Sequence, residues 1–522
     1  MGNGTKTRLT AKRLAAGIVC LAWLVSVLSC NLSALNAGDP NNSLPTLEPT
    51  ATAFQPEVGS TAFFASPQPT LSPIPVTETP AATRTKAPPE MYTVQPGDSL
   101  AAVAARFGVA PGDIQSPDPI ERVRMLNAGQ LLIIPRVIGE TSPTTMVMPD
   151  SEVVYSPSTL DFDINAFVKS AGGYLSTYTE YTGYGSLSGA EVVNQVALDN
   201  SVNPRLLLAL LEYQAHWVFG APTNLADSLF PIEKNMYQSS QGLFNELTWA
   251  AHTLQTGYYG WRAGTLIQVT FPDGTNLRLA PETNAGTVSL AYLFSKLINQ
   301  RQWSDTIYGS NGFMALYDRM YGSAWERAQT VEPLFPPELV QPALDLPFYP
   351  GIVWSFSGGP HEAWADGSPL AAVDFAPGST ASGCVPSEAW VLAPAAGIVV
   401  RSSTGVVVLD LDGDGHEQTG WDLLFLHIRT DGRVAAGTRL NKDDPIGHPS
   451  CEGGIATGTH VHIARKYNGE WIPADGPLPM VLGGWQVHAG AAPYKGTLTN
   501  NGKTVTADTN GSGATQIKRP GH

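Results

Sequence analysis

Residues 31–90 run through Pro, Thr, Ser and Ala with almost no apolar periodicity, as in Pro67-Gln68-Pro69-Thr70 and Pro73-Ile74-Pro75. Such a stretch buries too little apolar surface to offset the entropy of ordering. The chain therefore cannot fold as one body; it reads as a string of domains behind an extended spacer, with a reach of up to ~3 Å per residue where polyproline stiffness holds. The length of 522 residues allows three to four domains at roughly 150 residues each, and 43% hydrophobic residues suffice for sizeable cores. The 52 glycines and 42 prolines imply many turns. A formal charge of −15 argues against nucleic acid as a partner, because phosphate binding needs a concentrated basic surface. It also argues against electrostatic capture by an anionic membrane or wall polymer.

Ahead of the spacer, Lys6, Arg8, Lys12 and Arg13 precede an apolar stretch over 14–28. That is short for a membrane span and fits the apolar region of an export signal. It ends in Val27-Leu28-Ser29-Cys30, which resembles a bacterial lipobox. The resemblance implies that Cys30 is lipidated, becomes the mature N-terminus and tethers the protein to the outer face of the cytoplasmic membrane. The alternative is an ordinary cleaved signal. Either way the remaining chain is exported to the cell envelope, and a single lipid chain holds it only weakly. Cys384 and Cys451 are the only cysteines after the signal, and an even pair in an exported domain is most simply a disulfide.

Residues 91–137 change character. Tyr92-Thr93-Val94 reads as a strand, Gln95-Pro96-Gly97-Asp98-Ser99 as a turn and helix start, and 100–107 as an amphipathic helix that Ser99 or Asp98 can cap. A second helical piece and the strand Leu131-Leu132-Ile133-Ile134-Pro135 complete a βααβ unit. Tyr-Thr-Val-Gln-Pro-Gly-Asp-Ser-Leu, followed by Leu126-Asn127-Ala128-Gly129-Gln130, resembles a lysin motif (LysM) over the whole module. The resemblance implies binding of N-acetylglucosamine-containing glycans such as peptidoglycan, through hydrogen bonds that a negative net charge does not oppose. Residues 138–159 read as a further linker.

Residues 160–335 carry helical stretches at 190–200, 204–217 and 285–299. The run Asn203-Pro204-Arg205-Leu206-Leu207-Leu208-Ala209-Leu210-Leu211 is almost wholly apolar, so its helix should be buried, with Pro204 in the first turn. This stretch is similar to the helix that carries the acid in lysozyme-like lytic transglycosylases, but the acid's position holds Gln214. An amide cannot donate the glycosidic proton, so the comparison implies an inactive domain. Glu212 lies roughly 200° around the helix and points elsewhere. Trp217, Trp249 and Trp261 are either stacking residues of an inactive glycan groove or core residues.

Seven of the ten histidines lie between His361 and His488. Strands are expected at 390–392, 397–401, 405–411 and 421–428, an antiparallel β pattern. His460-Val461-His462 opens another strand, where residues two apart share a face. Thr457-Gly458-Thr459-His460-Val461-His462-Ile463, Leu424-Phe425-Leu426-His427-Ile428, Val434-Ala435-Ala436-Gly437 and Pro445-Ile446-Gly447 form an ordered series. Together with Val373-Asp374-Phe375-Ala376-Pro377 they resemble the lysostaphin-type and β-lytic zinc endopeptidases over residues 345–490. The commoner pattern has a ligand His four residues before the Asp, where this chain has Leu370. β-Lytic members carry it in a Gly-Gly-x-His segment further upstream, and Gly358-Gly359-Pro360-His361 stands there. The resemblance thus implies a zinc ion (Zn2+) held by His361, Asp374 and His462, with a fourth position left for water. It implies His427 and His460 as the groups that take a proton from water and stabilise the oxyanion.

Asp410-Leu411-Asp412-Gly413-Asp414-Gly415 looks like the opening of a calcium loop, but its twelfth position is Trp421 rather than a bidentate Glu. A β-hairpin turn is the reading adopted. His416, His448 and His488 read as solvated or turn residues, and 491–522 as a partly disordered tail. The expected protein is multidomain: a small βααβ LysM module, a mainly α-helical middle domain and a C-terminal antiparallel all-β metallopeptidase domain. The expected function is a peptidoglycan-cutting zinc endopeptidase; the alternative is an inactive wall-binding adaptor or activator of other hydrolases.

Overall fold

The computed structural model describes residues 88–135, 138–233, 241–379 and 382–521. The expected signal with Cys30, and all but the end of the spacer, lie outside the described residues. No helix among those described is long and apolar enough to cross a membrane.

In the first module, strands Glu90–Thr93 and Leu131–Ile134 pair antiparallel around the helix Leu100–Phe107. The Ser99 side chain caps that helix, and Gly108, with φ of 64°, ends it. Asp98 has a different task. Buried, its carboxylate binds Arg106 at 2.7 Å and the Tyr92 hydroxyl at 2.5 Å. The expected second helix is reduced to a 3-10 turn at Pro111–Asp113. Pro111, Pro117 and Pro119 remove backbone donors and restrict the residues before them, so helix cannot propagate there. The module rests on the helical region: the Gln95 amide donates to the Glu282 carbonyl at 2.6 Å, and Arg106 to the Trp261 carbonyl at 3.0 Å.

The helical region starts earlier than expected. Within 138–159, read above as a linker, Met148, Val153 and Val154 are buried in its core. Asp150 accepts from Gly286 N and Asn284 Nδ2, both at 2.7 Å, at the start of helix Ala285–Leu297, and pairs with Arg262 at 2.9 Å. The segment is ordered by polar anchors as much as by apolar ones, which hides it from hydrophobic periodicity. Helix Leu243–Ala263 packs against Gly189–Asn200 and Ala285–Leu297. At Gly257 a Cβ would lie 2.9 Å from Ser289 Cα, so glycine is what lets the two backbones approach. Helix Pro204–Ala215, capped by Asn203, is buried as its composition demands.

The C-terminal region is built on a nine-stranded antiparallel sheet. Its main order is Arg439–Leu440, Gly397–Ser403, Gly405–Asp410, Trp421–Ile428, Val461–Tyr467, Leu370–Pro377, Val353–Glu362 and Gln516–Lys518. Alternation divides its faces. Leu423, Phe425, Val407 and Leu409 join Phe348, Leu482 and Leu498 in one core. Leu424, Leu426, Val406, Val408 and Ala464 face the other way and share a continuous core with the helices. The hairpin at Asn468-Gly469, with φ of 48° and 76°, enters that second layer. Glu470 binds the Tyr258 hydroxyl at 2.7 Å and Arg262 at 3.1 Å.

The tail is not disordered. Gly496–Asn500 and Lys503–Thr506 form a hairpin, and Gln516–Lys518 is an edge strand of the main sheet. The cue is the alternation Thr497-Leu498-Thr499 and Thr504-Val505-Thr506 around Asn501-Gly502, both at positive φ. His448, read as a solvated or turn residue, is buried against Trp390 with ring centroids 3.9 Å apart.

Across the junction of helices and sheet, Arg401, half-buried, pairs with the buried Asp199 at 3.1 Å and the buried Glu417 at 2.8 Å. Replacing Arg401 by Met leaves Asp199 without its cation and should cost about 3–5 kcal/mol. Denaturant midpoints of the full chain check this, and a loss below about 1 kcal/mol would contradict the pairing.

Candidate metal centre

Cross-strand register brings the central residues together. His462 on Val461–Tyr467 stands directly opposite Asp374 on Leu370–Pro377, with both side chains on the face shared with the helices. Gly358 is the other neighbour of Asp374, and a Cβ there would lie 2.3 Å from Asp374 Oδ2. Bulges around Gly358 and His361 then bend the strand, and His361 completes the group. His361 Nε2 lies 3.3 Å from Asp374 Oδ1, His462 Nδ1 lies 3.5 Å from the same oxygen, and the two nitrogens are 3.0 Å apart. Ligand atoms ~2.0–2.1 Å from a common tetrahedral centre would be about 3.3 Å apart. Leu370, at the start of its strand opposite Glu362, is not part of the group.

The protonation pattern is set by backbone carbonyls, which can only accept. His361 Nδ1 donates to Gly359 O and His462 Nε2 to Ala363 O, each at 2.9 Å. Their inner nitrogens therefore face one another as lone pairs beside a carboxylate, and a proton or metal cation must sit among them. Asp374 Oδ1 is buried with no hydrogen-bond partner among the described residues, a costly state for an ionised oxygen. Burial alone would raise the Asp374 carboxyl, but His361, with His462 and His460, holds it well below the usual carboxylate range. Burial opposes charging His361, yet Asp374 outweighs it and raises that imidazole. Two imidazoles and one carboxylate at these separations fit zinc.

His427 and His460 stand beside this group. His460 Nε2 is 3.7 Å from Asp374 Oδ1, and the His427 and His460 rings are 4.5 Å apart. His460 Nδ1 donates to Gly458 O at 2.7 Å and His427 Nδ1 to Glu452 O at 2.9 Å, so both leave Nε2 toward the cleft. Strict alternation would send His427 to the opposite face from Leu426. A bulge opposite Gly405 and a φ of 63° at His427 reset the phase. Burial, then the neighbouring imidazoles, push His427 down to about 4. These residues line a cleft of about 1130 Å³ whose rim includes Tyr494, Trp364, Thr457 and, from the helical region, Gly183 and Tyr184.

Residues 92–135 match the family model described as LysM domain, and residues 146–334 match that of LasA, N-terminal domain. Over 166 residues the chain is 27% identical to the β-lytic metalloendopeptidase of Achromobacter lyticus, covering 31% of this chain and 43% of that protein. Over 387 residues it is 21% identical to protease LasA of Pseudomonas aeruginosa, covering 69% of this chain and 82% of that one. The chain is related to the β-lytic and LasA metallopeptidases. It thus spans less than half of the Achromobacter relative. A solved structure of pseudoalterin, a novel M23 metalloprotease from the deep sea, is 23% identical, with 32% of this chain and 96% of that chain covered at a TM-score of 0.28.

Kinship with LasA also bears on the middle region, where the matching model is LasA's N-terminal domain. The Glu212 carboxylate accepts from Val218 N at 2.9 Å and Phe219 N at 3.0 Å, which fixes the chain beyond its helix. Gln214 is partly buried, its amide 3.4 Å from the Ile232 carbonyl. Trp217 and Trp261 are fully buried, and Trp249 packs partly buried on the same core; the first two are not stacking platforms.

Tyr494 was not foreseen. Its ring stacks on His361 with centroids 4.1 Å apart, and its backbone pairs with Gly359 and Pro360. It sits in the segment read as tail, so no motif flagged it. The expected disulfide is formed between Cys384 and Cys451. It anchors the loop whose Glu452 and Gly458 carbonyls orient His427 and His460. With the cysteines separated by 67 positions in sequence, the double change Cys384→Ser/Cys451→Ser should cost about 4 kcal/mol. Denaturant titration checks this; an unchanged midpoint would show that the link does not constrain the loop.

Proposed function

We propose that the chain is an exported zinc-dependent endopeptidase that cuts peptide stems or cross-links of peptidoglycan. The observation that carries this reading is the convergence of His361, Asp374 and His462 around a buried carboxylate oxygen that accepts no hydrogen bond from the described residues, with two further imidazoles alongside. His361 Nε2, Asp374 Oδ1 and His462 Nδ1 would hold the ion. When bound, zinc supplies Lewis acidity there, polarising a carbonyl and lowering the pKa of water from ~15.7 to about 7.

The rest is done by the chain. His427 and His460 present Nε2 to the cleft as acceptors, because each has committed Nδ1–H to a carbonyl. One takes the proton of the attacking water; the other, when protonated, donates to the oxyanion that develops on the scissile carbonyl. As the C–N bond breaks, the proton passes to the leaving amine. The LysM module would hold the enzyme on glycan, which concentrates it on its peptide substrate. Export and lipid anchoring through Cys30 would place it at the outer face of the cytoplasmic membrane.

Digestion of purified peptidoglycan followed by mass analysis tests the reading. Peptide-bond products should form with zinc, and disappear with a chelator or with His462→Ala. His460→Ala should keep stoichiometric zinc while cleavage falls by about 10²–10⁴-fold. Products of glycan cleavage that persist in chelator would contradict the proposal.

A further inference from the structure

We propose that the turn between Gly405–Asp410 and Trp421–Ile428 binds a calcium ion, held by the carboxylates of Asp410, Asp412, Asp414 and Asp422. This site is separate from the metal centre above and does not rest on the peptidase reading. One oxygen from each of the first three carboxylates lies within 4.8 Å of the other two. Three acidic residues prove little by themselves, since such loops often form without an ion. The decisive residue is Asp422.

Asp422 is fully buried, and neither of its carboxylate oxygens has a hydrogen-bond partner among the described residues. It stands directly opposite Asp410 across the two strands, so their side chains share one face and lie close together. Asp412 turns toward the same place. Its Oδ2 occupies the spot where a Cβ on Gly420 would sit, two residues before Asp422, and Gly420 (φ of 60°) makes room for it. The nearby cation is Lys466, cross-strand from Asp422, but its ammonium is bonded to Glu417. A divalent cation would give the buried Asp422 carboxylate the partner it lacks among the described residues, since the Lys466 ammonium is committed to Glu417.

The spacing explains how the site escapes a motif search. Counted from Asp410, acids stand at places one, three and five, and Gly415 at place six turns the chain with φ of 89°. That matches the opening of a calcium loop. Place twelve, where a helix-flanked loop needs Glu, is Trp421; in this strand-flanked loop the closing acid comes one residue later. Calcium takes six to eight oxygens, and four carboxylates with water can supply them. Magnesium's small octahedral shell suits such a charged, partly exposed loop less well.

Calorimetric titration of calcium chloride into the full chain, stripped with chelator and reloaded with zinc, tests this. One calcium per chain should bind, with a dissociation constant of about 10⁻³ M or tighter and at least tenfold preference over magnesium. Asp412→Asn/Asp414→Asn changes only exposed loop residues and should weaken binding at least tenfold, with the metal-free melting temperature unchanged. Asp422→Asn should weaken it at least tenfold too, while leaving metal-free melting equal or higher. Absence of binding, binding that survives either variant, or equal affinity for magnesium would overturn the assignment.

Discussion

The pairing of Asp374 with His462 across adjacent strands is the constraint from which the rest of the site follows. Register in a sheet with two buried faces is strongly specified, because a slip of one residue turns every side chain over. Val373 and Phe375 flank Asp374 and are locked into one core, while Val461 and Ile463 lock His462 from the same side. The two polar side chains are thereby forced onto the opposite face, next to each other and out of bulk water. A carboxylate and an imidazole cannot rest there without a cation. The sheet's apolar layers hold this electrostatic demand in place.

A second device is the use of backbone carbonyls to fix imidazole tautomers. Gly359, Ala363, Glu452 and Gly458 each accept one N–H from His361, His462, His427 and His460 respectively. Four acceptor nitrogens are left pointing inward, which pre-organises the site at little cost when a cation or substrate arrives. The carbonyls belong to loops and bulges that are themselves tied down. The Cys384–Cys451 link restrains one, and the stacked Tyr494 lies over His361. The helical region covers the adjacent part of the same sheet face and places Gly183 and Tyr184 at the rim of the cleft.

What could be read without coordinates follows from the range of each interaction. His460-Val461-His462 and the segment around Asp374 were visible because strand alternation ties neighbouring residues to one face. Helix Leu100–Phe107 and the strand Trp421–Ile428 were bounded correctly, since capping and periodicity are local. The role proposed for His427 is legible only by resemblance, because a positive φ and a bulge override the alternation that would have turned it away. The ordering of 146–159 depends on Asp150 reaching Asn284 and Arg262, more than a hundred residues on, which no local pattern reveals. The hairpin at Asn501-Gly502 carries a local turn signal and strand alternation, which its polar composition masks. Asp422, which stands opposite Asp410, lies one place outside the spacing of a helix-flanked calcium loop, where that motif does not reach.

The proposed zinc site requires two imidazoles and one carboxylate to converge on a single divalent ion. Zinc-edge X-ray absorption on the purified full chain, loaded with one equivalent, tests it most directly. The expected result is a first shell of nitrogen and oxygen at ~2.0–2.1 Å with the multiple-scattering signature of two imidazoles, reduced to one in His361→Ala. A shell containing sulfur, or one left unaltered by that substitution, would contradict it.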